Sequence, residues 1–218
     1  MKPSYRYILG IDSSTSVLRI GLLMPDGKAI FRENEDRFRH AEFIFGLIDE
    51  VLQKGGTDKS ALDAIVICTG PGSFTGLRVG MASAKGLASA LNIPLVGIST
   101  YEALAPSIFG SFGSSAIVIP SGRDEFYFGL VDSEKFDINK IAVIRAGDLL
   151  SNVEGRGVFL IDSNFGKIDI PGIKKIDYSY GITDLIRIGL DRLKTKGGDL
   201  LSQLEPYYVQ NFPLRKNQ

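Results

Sequence analysis

Two stretches of this 218-residue chain hold chemically capable residue types at close spacing: Asp12-Ser13-Ser14-Thr15-Ser16, and GPGSFTGLRVGMASAKGLA from Gly70 to Ala88. A carboxylate among hydroxyls suits phosphate work, and glycine around a serine suits a phosphate cradle, an exposed nucleophile or close approach of another chain segment. Spacing separates these uses. A P-loop needs GxxxxGK[ST], but five residues after Gly70 stands Thr75, and five after Gly72 stands Leu77. The GxGxxG fingerprint fails as well, with Thr75 in the third glycine's place. A nucleophilic Ser73 in Gly72-Ser73-Phe74-Thr75-Gly76 needs a base, yet His40 is the only histidine and no SxxK pair occurs. Ser73 therefore reads as a helix N-cap whose hydroxyl satisfies an orphan amide.

Metal chemistry is short of ligands. His40 is followed four residues later by Ile44, so no helical His pair forms, and a single cysteine makes no thiolate cluster. No metal, no cofactor and no catalytic residue is expected. Cys68, inside the apolar run AIVIC, reads as a small buried hydrophobe. Lys plus Arg and Asp plus Glu are both 25, so no global field draws in a polyanion, and nucleic acid is not expected to be held by this chain alone. One cysteine suits a reducing compartment, MKPSYRYILGIDSS is too short in apolar residues for a signal core, and no apolar run approaches a membrane span. A cytoplasmic, soluble protein with no membrane contact is expected.

Close approach is the use that remains for the glycines. On a helix starting near Phe74, Gly76, Gly80, Ala84 and Ala88 recur every four residues, and Val79, Ala82, Gly86 and Ala90 form a second low-bulk face. Such stripes let backbones approach, and helical glycine costs up to about 1 kcal/mol against alanine unless packing requires it. With Arg78, Lys85 and Ser89 on one narrow side, this helix is expected to be buried nearly all round. Its companion, HAEFIFGLIDEVLQK, spreads Ala41, Phe43, Ile44, Phe45, Leu47, Ile48, Val51 and Leu52 over about 200°, wider than docking on one sheet requires. That arc belongs either to a deep core helix or, in part, to an interface.

The elements that position these residues follow from periodicity and turn chemistry. YILGI, SVLRIGLLM and KAIFREN form a strand meander around Pro25-Asp26-Gly27; a helix runs from His40 to Lys54; DAIVICTG is a strand covered on both faces. After the glycine-rich helix come the strand IPLVGIS and a helix opened by Ser99 or Thr100, with Glu102 placed for a capping box. FGSFGSS, Phe109 to Ser115, is the predicted boundary. Beyond it AIVIP, EFYFGLVD, KIAVI and GVFLI read as strands and GITDLIRIGLDRLKT as a late amphipathic helix. The fold class is α/β, in two lobes spanning 1–104 and 105–218.

The hairpin at Asp12 is similar to the first hairpin of actin-like ATPases and sugar kinases, where Asp, Gly and a hydroxyl residue present backbone amides to a nucleotide's phosphates. Here Ser14 stands in the glycine's place. ILGIDSSTS, the helix beginning HAE, ICTGPGSFTGLRVGMASAKGLA and IPLVGISTYEALA resemble, in order and spacing, the TsaB (YeaZ) family of bacterial tRNA threonylcarbamoyladenosine biosynthesis proteins. The likeness is nearly continuous over the first hundred residues. It thins in the second lobe: Arg123, Glu125 and Tyr127 keep the outline of the family's Asp-Ala-Arg run before Glu and Tyr, and Gln210 stands where the family has Arg.

That resemblance implies an actin-like (ASKHA, ribonuclease H-like) fold, each lobe a mixed sheet flanked by helices. It implies a non-catalytic relative of the catalytic subunit TsaD, bound to TsaD through the two N-lobe helices, with the ATPase TsaE joining the pair and tRNA reached only through the complex. The expected contact residues are Phe43, Ile44, Leu47, Ile48 and Val51 from one helix and Phe74, Leu77, Arg78, Met81 and Lys85 from the other. Without TsaD the same surface is expected to allow a homodimer. Two rivals stay open: a stand-alone nucleotide-hydrolysing enzyme of this fold, and a glycopeptidase-like protease. Whether the final residues pack back on the first lobe also stays open.

Overall fold

The computed structural model describes residues 5–36, 39–121, 125–153, 156–160, 175–177 and 180–207. Three antiparallel strands open the chain, β1 (Ile8–Asp12), β2 (Leu18–Leu23) and β3 (Ala29–Asn34). Helix α1 (His40–Lys54) leads to β4 (Ala64–Gly70), parallel to β1, and helix α2 (Phe74–Leu91) to β5 (Leu95–Ser99), parallel to β4. The first sheet is ordered β3-β2-β1-β4-β5. Residues of β4 alternate between two apolar cores: Ile65 and Ile67 face α1 and α2, while Ala64, Val66 and Cys68 face the other layer. Two covered faces are why this strand reads apolar throughout.

Helix α3 (Thr100–Phe112) opens with the expected capping box, in which Ser99 Oγ accepts from the Glu102 amide and Glu102 reaches back to the Ser99 amide. Its last turn takes in Phe109 to Phe112, so the predicted boundary begins inside the helix rather than in a loop. The second sheet comprises β6 (Ser115–Pro120), β7 (Glu125–Val131), β8 (Ala142–Arg145), β9 (Gly157–Leu160) and β10 (Lys175–Asp177), with α4 (Leu149–Val153) after β8. Its order is β10-β9-β6-β7-β8. An antiparallel meander extended by parallel strands is therefore built twice. Strand β10 and helix α4 were not foreseen, being only 3 and 5 residues long.

Helix α5 (Ile182–Lys196) returns to the first sheet and lies against β1, β2, β4 and β5, opposite α1 and α2. The sequence reading grouped these residues with the second lobe. Glycines make the seat: a Cβ at Gly10 would overlap Ile186, one at Gly21 would come within 2.9 Å of Ile182, and one at Gly189 would overlap Val66. Ile182, Leu185, Ile186 and Leu193 are buried there. Sequence periodicity shows that this helix has an apolar face, but not which sheet receives it.

Candidate functional site: the helix pair and the hairpin beneath it

The loop joining β1 to β2 is threaded under the start of α2. Ser14 O accepts from the Ser73 amide at 2.6 Å, and the His40 ring donates through Nε2 to Thr15 O at 3.0 Å. A Cβ at Gly72 would overlap Ser14 O, one at Gly76 would overlap Ser13 O, and one at Gly80 would overlap Ser13 Oγ. The glycines are thus spaced to admit a segment of the same chain. Ser73 is the expected N-cap, its Oγ accepting from Gly76 N at 3.2 Å.

Asp12, at the hairpin's root, is fully buried. Its Oδ1 accepts from the Ser14 amide at 2.9 Å and from Ser14 Oγ at 2.6 Å; its Oδ2 accepts from Tyr180 OH at 2.8 Å and faces Arg19 Nη1 at 3.5 Å. Ser14, standing where the nucleotide-binding pattern wants glycine, holds the aspartate with its own side chain. Burial opposes the Arg19 charge, but Asp12, Tyr180 and Glu33 outweigh it and hold its pKa above the ordinary value. Burial, followed by the Asp12 charge, raises the Tyr180 phenol well above its usual range and pushes the Cys68 thiol up to about 12. Both stay protonated near neutrality. Cys68 is the buried hydrophobe expected, with Thr100 Oγ1 at 3.4 Å.

Helices α1 and α2 lie side by side over this hairpin. Of the ten contact residues expected from sequence, Ile44, Leu47, Ile48, Val51 and Met81 are buried in the chain's own core between the helices and the sheet, and Leu77 is buried against Gly70. Their side chains already have partners, so in the isolated chain they offer no surface. Phe43 is half-buried with the Arg39 guanidinium 4.9 Å from its ring centre, Lys85 is half-buried, and Phe74 and Arg78 are exposed. Arg78 stacks over Phe74 at 3.9 Å. Phe45 and Phe74 are 46% and 48% exposed.

Around these two rings the outer surface has little bulk. Ala41 and Gly46 on α1, and Ala82, Gly86 and Ala90 on α2, are exposed, and nothing lies within 4 Å of a Cβ built at Gly46 or Gly86. Helix α2 is consequently not buried nearly all round. The stripe Gly76, Gly80, Ala84, Ala88 is covered, while Ala82, Gly86 and Ala90 of the second stripe face outward. The sequence reading left Phe45, Ala82 and Gly86 out of its contact set; the four-residue steps Ala41-Phe45-Asp49 and Phe74-Arg78-Ala82-Gly86 carry the signal for that outer row. It also missed Tyr180 and Arg19, whose approach to Asp12 has no sequence signature. In the second sheet, Glu125 is exposed and Tyr127 half-buried on β7, whereas Arg123 and Gln210 lie outside the described residues.

A family model described as "TsaD: tRNA N6-adenosine threonylcarbamoyltransferase" matches residues 36–180. The tRNA threonylcarbamoyladenosine biosynthesis protein TsaB of Haemophilus influenzae is 35% identical over 130 residues, 59% of this chain and 55% of that protein. TsaB of Escherichia coli K12 is 30% identical over 111 residues, 51% of this chain and 48% of that protein. This chain spans about half the length of the curated relatives it matches. The solved structure of YeaZ from Pseudomonas aeruginosa superposes with a TM-score of 0.74 at 23% identity, covering 94% of this chain and 100% of that one. The fold is thereby the two-lobed, actin-like arrangement of mixed sheets that the resemblance implied. With well over half of its residues inside the family model, the chain belongs to the family described as TsaD: tRNA N6-adenosine threonylcarbamoyltransferase, and it is similar there to proteins named TsaB.

Proposed function

We propose that this chain serves tRNA threonylcarbamoyladenosine synthesis as a partner-binding, non-catalytic subunit, docking on a TsaD-type catalytic subunit through the outer row of α1 and α2. The observation that carries this reading is the pair of half-exposed rings, Phe45 and Phe74, set among positions with almost no side chain. Rings beside low-bulk helix surface suit insertion into a partner's grooves while two backbones come close, and aromatic and Arg residues dominate such contacts. Apolar burial at about 25 cal/mol per Å² gives affinity, and Arg78 contributes partner selectivity. The hairpin supports the non-catalytic part: Asp12 is engaged by Ser14, Tyr180 and Arg19 and is fully buried. In the absence of the catalytic subunit the same row pairs with a second copy; TsaE and tRNA are reached through the assembled pair.

The test is co-purification of the full chain with the TsaD of its own organism, with and without TsaE and ATP. Phe45→Asp and Phe74→Asp are expected to leave the lone chain folded and to abolish capture of TsaD. Normal capture by both variants would overturn the assignment of this face. ATP turnover by the lone chain that disappears in Asp12→Ala would overturn the non-catalytic reading.

A further inference from the structure

Past α5 the described residues run along the first sheet. Gly198 sits on Pro94, the Asp199 amide donates to Leu95 O at 2.8 Å, and the Gly97 amide donates to Asp199 Oδ2 at 2.8 Å. Arg192 Nη1 donates to Gly97 O at 2.6 Å, and Leu204 lies over Gly97, where a Cβ would be 2.6 Å from its Cδ1. Residues 192–204 therefore occupy backbone groups along the outer edge of β5, an edge otherwise open to another strand. Tyr207 then crosses between the units: its amide donates to Thr69 O at 2.7 Å in β4, and its phenol donates to Ile138 O at 3.1 Å beyond β7.

Three further contacts tie the same corner. Arg192 Nη2 pairs with Glu102 Oε1, joining α5 to α3; Tyr101 OH donates to Ile117 O at 3.4 Å; and the Tyr101 ring stacks on Phe136 at 4.8 Å. The chain crosses between the two sheets twice, through α3 into β6 and through the return into α5, the arrangement of a hinge, and one apolar core bridges that hinge from Ile8, Val66 and Ile98 to Ile117, Ile119 and Val131. We infer that residues 198–207 are a latch across this hinge, fixing the angle between the two units so that the chain acts as one rigid body instead of opening and closing. The latch holds the first sheet through Asp199, Leu204 and the Tyr207 amide, and the second unit through the Tyr207 phenol at Ile138.

Distance measurement between spin labels on Gln53→Cys in α1 and Asn152→Cys in α4 of the full chain tests this, since both sites are exposed and Cys68 is fully buried. The unaltered latch is expected to give one narrow distance population. Asp199→Ala combined with Tyr207→Ala is expected to broaden it or add a second, longer population, and to speed exchange of the Gly97 amide about tenfold through loss of its charged acceptor. A broad distribution with the latch intact overturns the inference, as does an unchanged narrow one in a double variant whose circular dichroism is native. Tyr207→Phe, which removes only the bond to Ile138 O, keeps the question answerable where the double variant does not fold. Broadening in that single variant supports the latch, and an unchanged distribution overturns the part given to the phenol.

Discussion

The phenol of Tyr180 donates a 2.8 Å hydrogen bond to Oδ2 of Asp12, a residue 168 positions earlier in the chain. Through it the return into α5 is fastened to the hairpin that lies under α2. Ser14, Tyr180 and Arg19 together enclose the Asp12 carboxylate.

Removing that phenol is expected to be costly. Tyr180→Phe leaves Oδ2 of a fully buried carboxylate, among the described residues, with Arg19 at 3.5 Å. Stability should fall by about 1–3 kcal/mol, the penalty of an under-satisfied buried group, read as a lower denaturant midpoint with unchanged slope. An unaltered midpoint would remove the bond from the account of stability.

Glycines of α2 are expected to respond in opposite directions. Gly76→Ala puts a methyl into Ser13 O and should destabilise by about 1–3 kcal/mol, since backbone must move. Gly86→Ala meets nothing within 4 Å and should stabilise the lone chain by about 0.5–1 kcal/mol through helix propensity. The same methyl should weaken capture of the catalytic subunit if α2 approaches it closely. Thermal melting and co-purification of the two variants separate these effects.

Charges placed at Leu47 or Met81 should unfold the chain and not merely unseat a partner. These side chains are 8% and 4% exposed and belong to the core between α1, α2 and the first sheet. Leu47→Asp or Met81→Asp should cost roughly 4 kcal/mol or more, comparable to the whole stability of a marginal domain. Soluble, cooperatively melting variants at both positions would contradict the burial described above.

Alkaline pH should loosen the fold in a defined window. The Cys68 thiol is raised from its ordinary 9.0 to about 12, chiefly by burial, so the unfolded chain loses this proton first. Its contribution is fully present below about pH 9 and is lost as pH rises towards 12, at up to about 1.4 kcal/mol per pH unit. Tyr180 and Tyr101, raised well above 10.0 by burial, extend the loss to higher pH. Cys68→Ala should flatten the first part of the decline, and the native thiol should resist alkylation at pH 8 until the chain is denatured.

Local order in this protein was legible in the amino-acid sequence alone. Alternation and turn residues mark the opening meander, the Ser99–Glu102 capping box is readable as spacing, and the absence of GxxxxGK[ST] sets aside a P-loop. These features are decided within a few residues, by dihedral preference and by nearest-neighbour hydrogen bonds. The tertiary structure alone decided which part of the wide apolar arc on α1 is core and which is outer row. It also decided which stripe of α2 admits the Ser13–Ser14 backbone, that α5 returns to the first sheet, and that Asp12 finds Tyr180. Periodicity records that a side chain leaves water; which distant segment covers it depends on how the sheets and helices close on one another, and that sum of long-range contacts has no signature in any single stretch of sequence.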